Sequence, residues 1–202
     1  MIIYKINMFR SVIKFTLCIR VLFLFSTPAF PDWNLINAES RINFISIKAS
    51  DIAEIHTFKD LSGRVKNSGE AQVIINLASL ETLIPIRNER MANLLFETKI
   101  YPTATFKLEV DLQTILLVEV GKSLDVTYRG ILELKSKQFS MPINLSVTRL
   151  GNQSFSVRSS KPLLLNANRL GLSTGIESLR VIAGLPSISK SVPVTFSLIF
   201  RQ

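Results

Sequence analysis

The chain has 202 residues, 47% of them hydrophobic, with 24 Lys+Arg against 15 Asp+Glu and a formal charge of +9. This length suits one domain with a real core plus a short leader. A single histidine excludes His-rich zinc sites, and because the single cysteine, Cys18, lies in the leader, the remaining chain has no thiol for Cys–His catalysis.

The first thirty residues carry part of the apolar excess behind a mean hydropathy of +0.31. Met1 to Lys14 reads as a basic n-region, and Phe15 to Phe25 is apolar apart from Thr16 and Arg20. Ser26-Thr27-Pro28-Ala29 follows, which is the order of a secretory signal peptide with cleavage after Ala29. The expected division is a signal peptide over 1–29 and one domain over 30–202. Arg20 interrupts the apolar stretch, so a start at Met8 and an uncleaved membrane anchor stay open. Cys18 follows Leu17 where a lipoprotein needs a small residue, so lipidation is not expected. Cleavage would leave a chain without thiols, which fits an oxidising compartment. It would also remove Lys5, Arg10, Lys14 and Arg20 and no acidic residue, leaving a modest surplus without a basic run. That surface is a poor nucleic-acid footprint, and no nucleic acid is expected as a partner.

Beyond the leader, strands are expected at Arg41–Ala49, Ile52–Phe58 and Arg64–Lys66. Ala71, Val73, Ile75 and Leu77 then alternate loosely with polar residues. Arg87–Phe96 breaks the pattern, with Met91, Leu94 and Leu95 at helical spacing and Pro85 upstream where a helix tolerates it. Period two returns in Phe106, Leu108 and Val110. It continues in Leu124, Val126, Tyr128, Leu132 and Leu134, in Phe139, Met141, Ile143, Leu145 and Val147, and in Val192, Val194, Phe196, Leu198 and Phe200. Each such run has one dry and one wet face, unlike the continuous apolar runs of parallel sheets. Gly121-Lys122, Ser136-Lys137 and Gly151-Asn152 read as hairpin joints. A second helix is expected at Thr174–Ala183, with Thr174 and Glu177 in capping-box spacing and Gly184 as its stop.

Eight or nine strands with one apolar face need closure or a second sheet to hide that face. The fold class expected is therefore all-β: a closed antiparallel barrel with one or two short helices.

Catalytic signals are thin. A Ser-His-Asp triad would have to use His56, which is expected at the barrel surface or mouth, opposite Ile55 in its strand. Gly171–Gly175 (GLSTG) lacks the lysine of a phosphate loop and the spacing of a dinucleotide fingerprint, so it reads as a helix start. Glu54, Glu81, Glu89 and Glu97 do not pair as acid and base by spacing, and are expected as solvated charges or local ion pairs. Arg87-Asn88-Glu89-Arg90 either salt-bridges to the barrel, the favoured reading, or offers guanidinium donors to a polar head group.

The residues also carry a resemblance. Trp33 with Ser40-Arg41-Ile42-Asn43-Phe44, His56-Thr57-Phe58, Leu61-Ser62-Gly63 and Ser79-Leu80-Glu81-Thr82 occur in order. Ile86-Arg87-Asn88-Glu89-Arg90-Met91, Leu95-Phe96, Tyr101-Pro102-Thr103-Ala104-Thr105-Phe106 and Val192-Pro193-Val194-Thr195-Phe196 follow. Together they resemble the YceI-like family of bacterial periplasmic polyisoprenoid-binding proteins. The resemblance implies a lipocalin-like extended barrel of about eight strands, a periplasmic location and a bound lipid with a long isoprenoid tail. The family often has Arg-Asp and then His-Leu in the helical segment, where this chain has Arg87-Asn88 and Arg90-Met91.

The expected function is a periplasmic carrier for a quinone or polyprenyl lipid, binding rather than catalysing. Phe44, Phe106, Leu108, Tyr128, Leu132, Phe139, Met141, Ile143, Val194 and Phe196 are expected to line the tunnel, with Arg87 and Arg90 as head-group candidates. Ordinary core packing is the competing reading of the apolar set. No cofactor beyond a bound isoprenoid lipid or quinone is expected, and no metal. The expected partners are a long-chain amphiphilic lipid, a membrane in transient contact and a second copy in a homodimer. A filled barrel acting as a stress-response or structural module is the alternative function. A lipid hydrolase or isomerase using His56 ranks last.

Overall fold

The computed structural model describes residues 32–202. The leader, its cleavage after Ala29 and Cys18 lie outside these residues.

The strands run in chain order as β1 (Trp33–Leu35), β2 (Arg41–Lys48), β3 (Ile52–Phe58), β4 (Leu61–Val65), β5 (Glu70–Asn76) and β6 (Leu80–Glu81). Helix α1 (Pro85–Arg90) runs into a wider π-helical stretch at Met91–Phe96, and β7 (Thr103–Glu109) and helix α2 (Leu112–Leu116) follow. Next come β8 (Ser123–Leu134), β9 (Lys137–Gly151), β10 (Ser154–Ser159), β11 (Leu163–Asn166), helix α3 (Ser173–Ile182) and β12 (Ser191–Arg201). Every strand pairing is antiparallel.

The order β1-β4-β5-β7-β8-β9-β10-β12 closes into a ring, because β1 pairs with both β4 and β12. This is the expected eight-stranded antiparallel barrel. It is extended at one end by β2, β3 and β6, and by β11 on β12. Strand β12 holds the extension together. Its Ser191–Val194 half bonds β11, Val194–Ser197 bonds β2, and the remainder bonds β10 and β1. Ser40 sits at the break between β1 and β2. Its buried hydroxyl donates to the Ile36 carbonyl at 2.8 Å and accepts from the Ile199 N–H at 3.0 Å.

Four strands went unread in the sequence: β1, β6, β10 and β11. The Gly121-Lys122 joint is not a hairpin, since α2 lies between β7 and β8. The expected Arg87–Phe96 helix starts earlier, at Pro85, and widens at Met91. The capping box fails. Leu172 occupies the N-cap position without a side-chain bond, and Glu177 instead takes Arg180 at 2.6 Å. The stop at Gly184 holds. Gly184 has φ +62, its N–H reaches the Val181 carbonyl, and the Leu185 N–H reaches the Arg180 carbonyl. These two bonds form a Schellman closure, which favours glycine at the left-handed position.

The helices cap the barrel. At one end α3 lies against the π-helical stretch. A Cβ on Gly175 would stand 2.5 Å from the Leu94 carbonyl oxygen and 2.7 Å from the Leu95 Cα, so only glycine permits this approach. Met91, Leu95, Phe96 and Ile176 are buried beneath the pair. At the other end Leu112 and Ile115 of α2 are buried, and Asp111 caps the helix by accepting from the Thr114 N–H at 3.1 Å. Among the described residues no helix is long and apolar enough to cross a membrane.

Candidate ligand-binding cavity

The inward faces of the strands do not meet in the middle. They enclose a cavity of about 260 Å³ whose lining residues are all apolar. It runs from Trp33, Phe155 and Phe200, near α2, to Leu95, Phe96 and Ile176 under the helix pair. Small side chains leave the room: Ala71, Ala104 and Ala167 are buried in the lining. The Phe106 ring, itself part of the lining, lies directly against the backbone of Gly130.

Eight of the ten residues expected to line the tunnel do so: Phe44, Phe106, Leu108, Leu132, Met141, Ile143, Val194 and Phe196. Tyr128 and Phe139 are the exceptions. Tyr128 packs on the core but its hydroxyl accepts the Asp111 N–H at 3.2 Å, which holds it at the α2 end. Phe139 stands opposite Leu132, near the β8–β9 turn, and packs on the core without reaching the cavity. Sequence reading missed the α2 contribution, Leu112 and Ile115, and the β11 contribution, Leu163 and Leu165. Both elements are too short to show a period.

The head-group candidates do not border the cavity. Arg87 Nη1 donates to Glu54 Oε2 at 2.7 Å and its Nη2 to the Thr82 carbonyl at 2.6 Å, while Lys48 also meets Glu54 at 3.0 Å. Burial raises the Glu54 pKa, but Lys48 and Arg87 together pull it below the usual carboxylate range. Arg90 is exposed at the end of α1. The cluster ties the helix to the barrel, as its structural reading expected. Glu81 and Asn88 do similar work. Glu81 accepts from Lys59 at 2.6 Å, Asn88 at 3.0 Å and the Leu83 N–H at 2.7 Å, which lowers its pKa to about 2. Asn88 Oδ1 in turn accepts from the Thr82 N–H and hydroxyl. An aspartate could not donate to Glu81, which explains why asparagine suits this chain.

His56 is not at the surface. It is 3% exposed, its ring 5.1 Å from that of Phe44, with Nε2 bonded to the Ser46 hydroxyl at 2.8 Å. Its position is set by register: β3 turns His56 and Phe58 inward and leaves Ile55 outside. Among the described residues Nδ1 has no partner, so no carboxylate there orients the ring as a triad requires. Burial first, and then Arg87, depress the His56 pKa.

A closed antiparallel barrel with capped ends and an unbroken apolar interior defines the lipocalin-like class of small-ligand binders. Comparison with known proteins narrows the class. The sequence pattern of the YceI-like domain matches residues 33–200, and the chain belongs to this family. A polyisoprenoid-binding domain from Saccharophagus degradans is 38% identical, with TM-score 0.82 over 84% of this chain and 97% of that one. Burkholderia cenocepacia BcnA is 21% identical, with TM-score 0.63 over 82% and 98%. A Campylobacter jejuni YCEI protein is 13% identical, with TM-score 0.53 over 73% and 84%. The last two share the fold alone. Among curated proteins none matches the chain.

Proposed function

We propose that the protein is a periplasmic carrier that holds the isoprenoid tail of a quinone or polyprenyl lipid inside its barrel. The all-apolar cavity carries this reading. Its volume lies just under the roughly 300–1,000 Å³ of ordinary small-molecule pockets, which suits a slender chain better than a bulky ring system. The Saccharophagus domain is described as polyisoprenoid-binding, which supports the same ligand class.

The energetics need no polar contact. Burial yields about 0.8 kcal/mol per CH₂-sized group, so one five-carbon unit contributes roughly 3–4 kcal/mol before ordering costs. Micromolar affinity needs about 8 kcal/mol net, which a few buried units supply. The exposed aliphatic side chains of Leu83, Ile84 and Ile86, at the entry to α1, suit brief contact with a membrane during transfer.

The test is mass spectrometry of an organic extract from purified protein. A prenyl-chain lipid should appear with the wild-type chain and be lost in Ile143→Trp, because Ile143 is buried in the cavity wall. An extract without lipid from a protein that also fails to take up added ubiquinone-2 would refute the reading. N-terminal sequencing of the exported chain tests the location, with a start after Ala29 expected.

A further inference from the structure

Strand β9 is bonded to β8 along its length from Lys137 to Thr148, but to β10 only from Leu145 onward. The last rung on that side is the Ser160 N–H donating to the Asn144 carbonyl at 3.0 Å. The chain then passes Pro162 and continues as β11, which bonds β12 alone. Among the described residues, no rung joins β11 to the Lys137–Ile143 part of β9. The barrel wall therefore has an unzipped seam about seven residues tall, roughly 20 Å at strand rise.

The sequence keeps this seam open. In an antiparallel ladder the N–H and C=O of one residue point to the same side, and the side alternates along the strand. Asn144 points toward β10, so Pro142 and Ser140 also point into the seam. Pro142 has no N–H to offer the next rung, and Pro162 stands at the foot of the facing strand. Proline in sheets is confined to such edges. Between the two lips lies a second cavity of about 240 Å³, lined by Met141, Pro142, Asn144, Lys161, Pro162 and the Leu163–Leu165 stretch. Met141, Leu163 and Leu165 also line the central cavity. One layer of flexible side chains separates the two spaces, and methionine is the side chain best able to yield.

At the two barrel ends, by contrast, the helices place buried side chains in the cavity wall, among them Leu95, Phe96, Leu112, Ile115 and Ile176. We propose that the β9–β11 seam is the portal through which an apolar chain enters and leaves the barrel sideways. The tail passes between Met141 and the two leucines. The polar end of the lipid stays in water beside the exposed Lys161 at the rim. This inference rests on the carrier reading above.

The experiment bridges the lips. Ser140 and Leu164 are both exposed and would face each other if the β9–β10 register continued across the seam. Ser140→Cys/Leu164→Cys in a Cys18→Ser background is oxidised, or joined by a short bismaleimide if the thiols do not pair. Trp33 is the only tryptophan and lines the cavity, so quenching of its emission by ubiquinone-2 reports loading. The reduced double variant sets the reference rates of loading and release, since Leu164 itself borders the portal. The bridged protein should do both at least tenfold more slowly, with the same final quench. Equal rates in bridged and reduced protein would overturn the portal while leaving the carrier reading intact. Absence of quenching in the wild-type chain would overturn both.

Discussion

A single methyl at Gly130 should reshape the cavity. The Phe106 ring rests on this residue, and a Cβ there would stand 2.1 Å from Phe106 Cζ and 2.5 Å from Cε1. Ordinary contact for such atoms is 3.4–4 Å, so the ring must withdraw by more than about 1 Å. The open direction is the cavity that Phe106 already lines. Gly130→Ala is therefore expected to cost about 1–3 kcal/mol of stability through overpacking. The displaced ring also takes ligand space. Each CH₂-sized group of the lipid left unburied weakens binding by about 0.8 kcal/mol, or roughly fourfold in affinity. Urea unfolding and quenching of Trp33 by ubiquinone-2 measure the two effects. Phe106→Leu in the same chain should restore part of both, because the shorter side chain clears the new methyl. A double-mutant cycle isolates this coupling. Wild-type stability and affinity in Gly130→Ala, or strict additivity in the cycle, would refute the argument.

The buried His56 predicts a pH dependence. Its folded pKa lies below the ordinary 6.5 because burial and Arg87 disfavour the imidazolium. The unfolded chain therefore binds the proton first as pH falls. Stability is full above about pH 6.5 and declines toward the folded pKa, at about 1.4 kcal/mol per unit. The urea midpoint should fall between about pH 7.5 and pH 5, and this fall should flatten in His56→Phe. An unchanged slope in the variant would remove His56 as its source. Asn88→Asp should lower the melting temperature at neutral pH, since it replaces the donor to Glu81 with a second carboxylate. Recovery near pH 3, where the new carboxyl takes up a proton, distinguishes repulsion from simple misfit. A melting temperature equally low at both pH values would refute it.

The barrel was legible because its long strands repeat strictly: the expected sets Leu124–Leu134, Phe139–Val147 and Val192–Phe200 fall inside β8, β9 and β12. Three of the four unread strands failed for identifiable reasons, while β10 (Ser154–Ser159) does alternate, through Phe155 and Val157. Trp33–Leu35 and Leu80–Glu81 are shorter than any period can show. In Leu163–Asn166 three leucines run together, although Leu164 is 73% exposed, so the alternation of burial left no trace in polarity. The helix start at Ser173 followed tertiary packing of Gly175 on the π-helical stretch rather than the local Thr174–Glu177 spacing. The cavity was half legible. Alternation identified which side chains face inward, but not whether they meet. The cue to a hollow was present in Ala71, Ala104 and Ala167, small residues at inward positions where a packed core would place larger ones.

Ring closure by β12 carries a consequence for how the molecule comes into being. This strand joins four others, and it leaves the ribosome after all of them. Until it arrives, β1 and β10 have no shared neighbour and the greasy faces of the nascent sheet stand open to water. Such late, long-range pairing slows folding and exposes sticky surface on the way. The newborn chain thus has a period of vulnerability that lasts at least until β12 is made. A cargo molecule or a chaperone covering those faces in the interval would guard the protein against clumping.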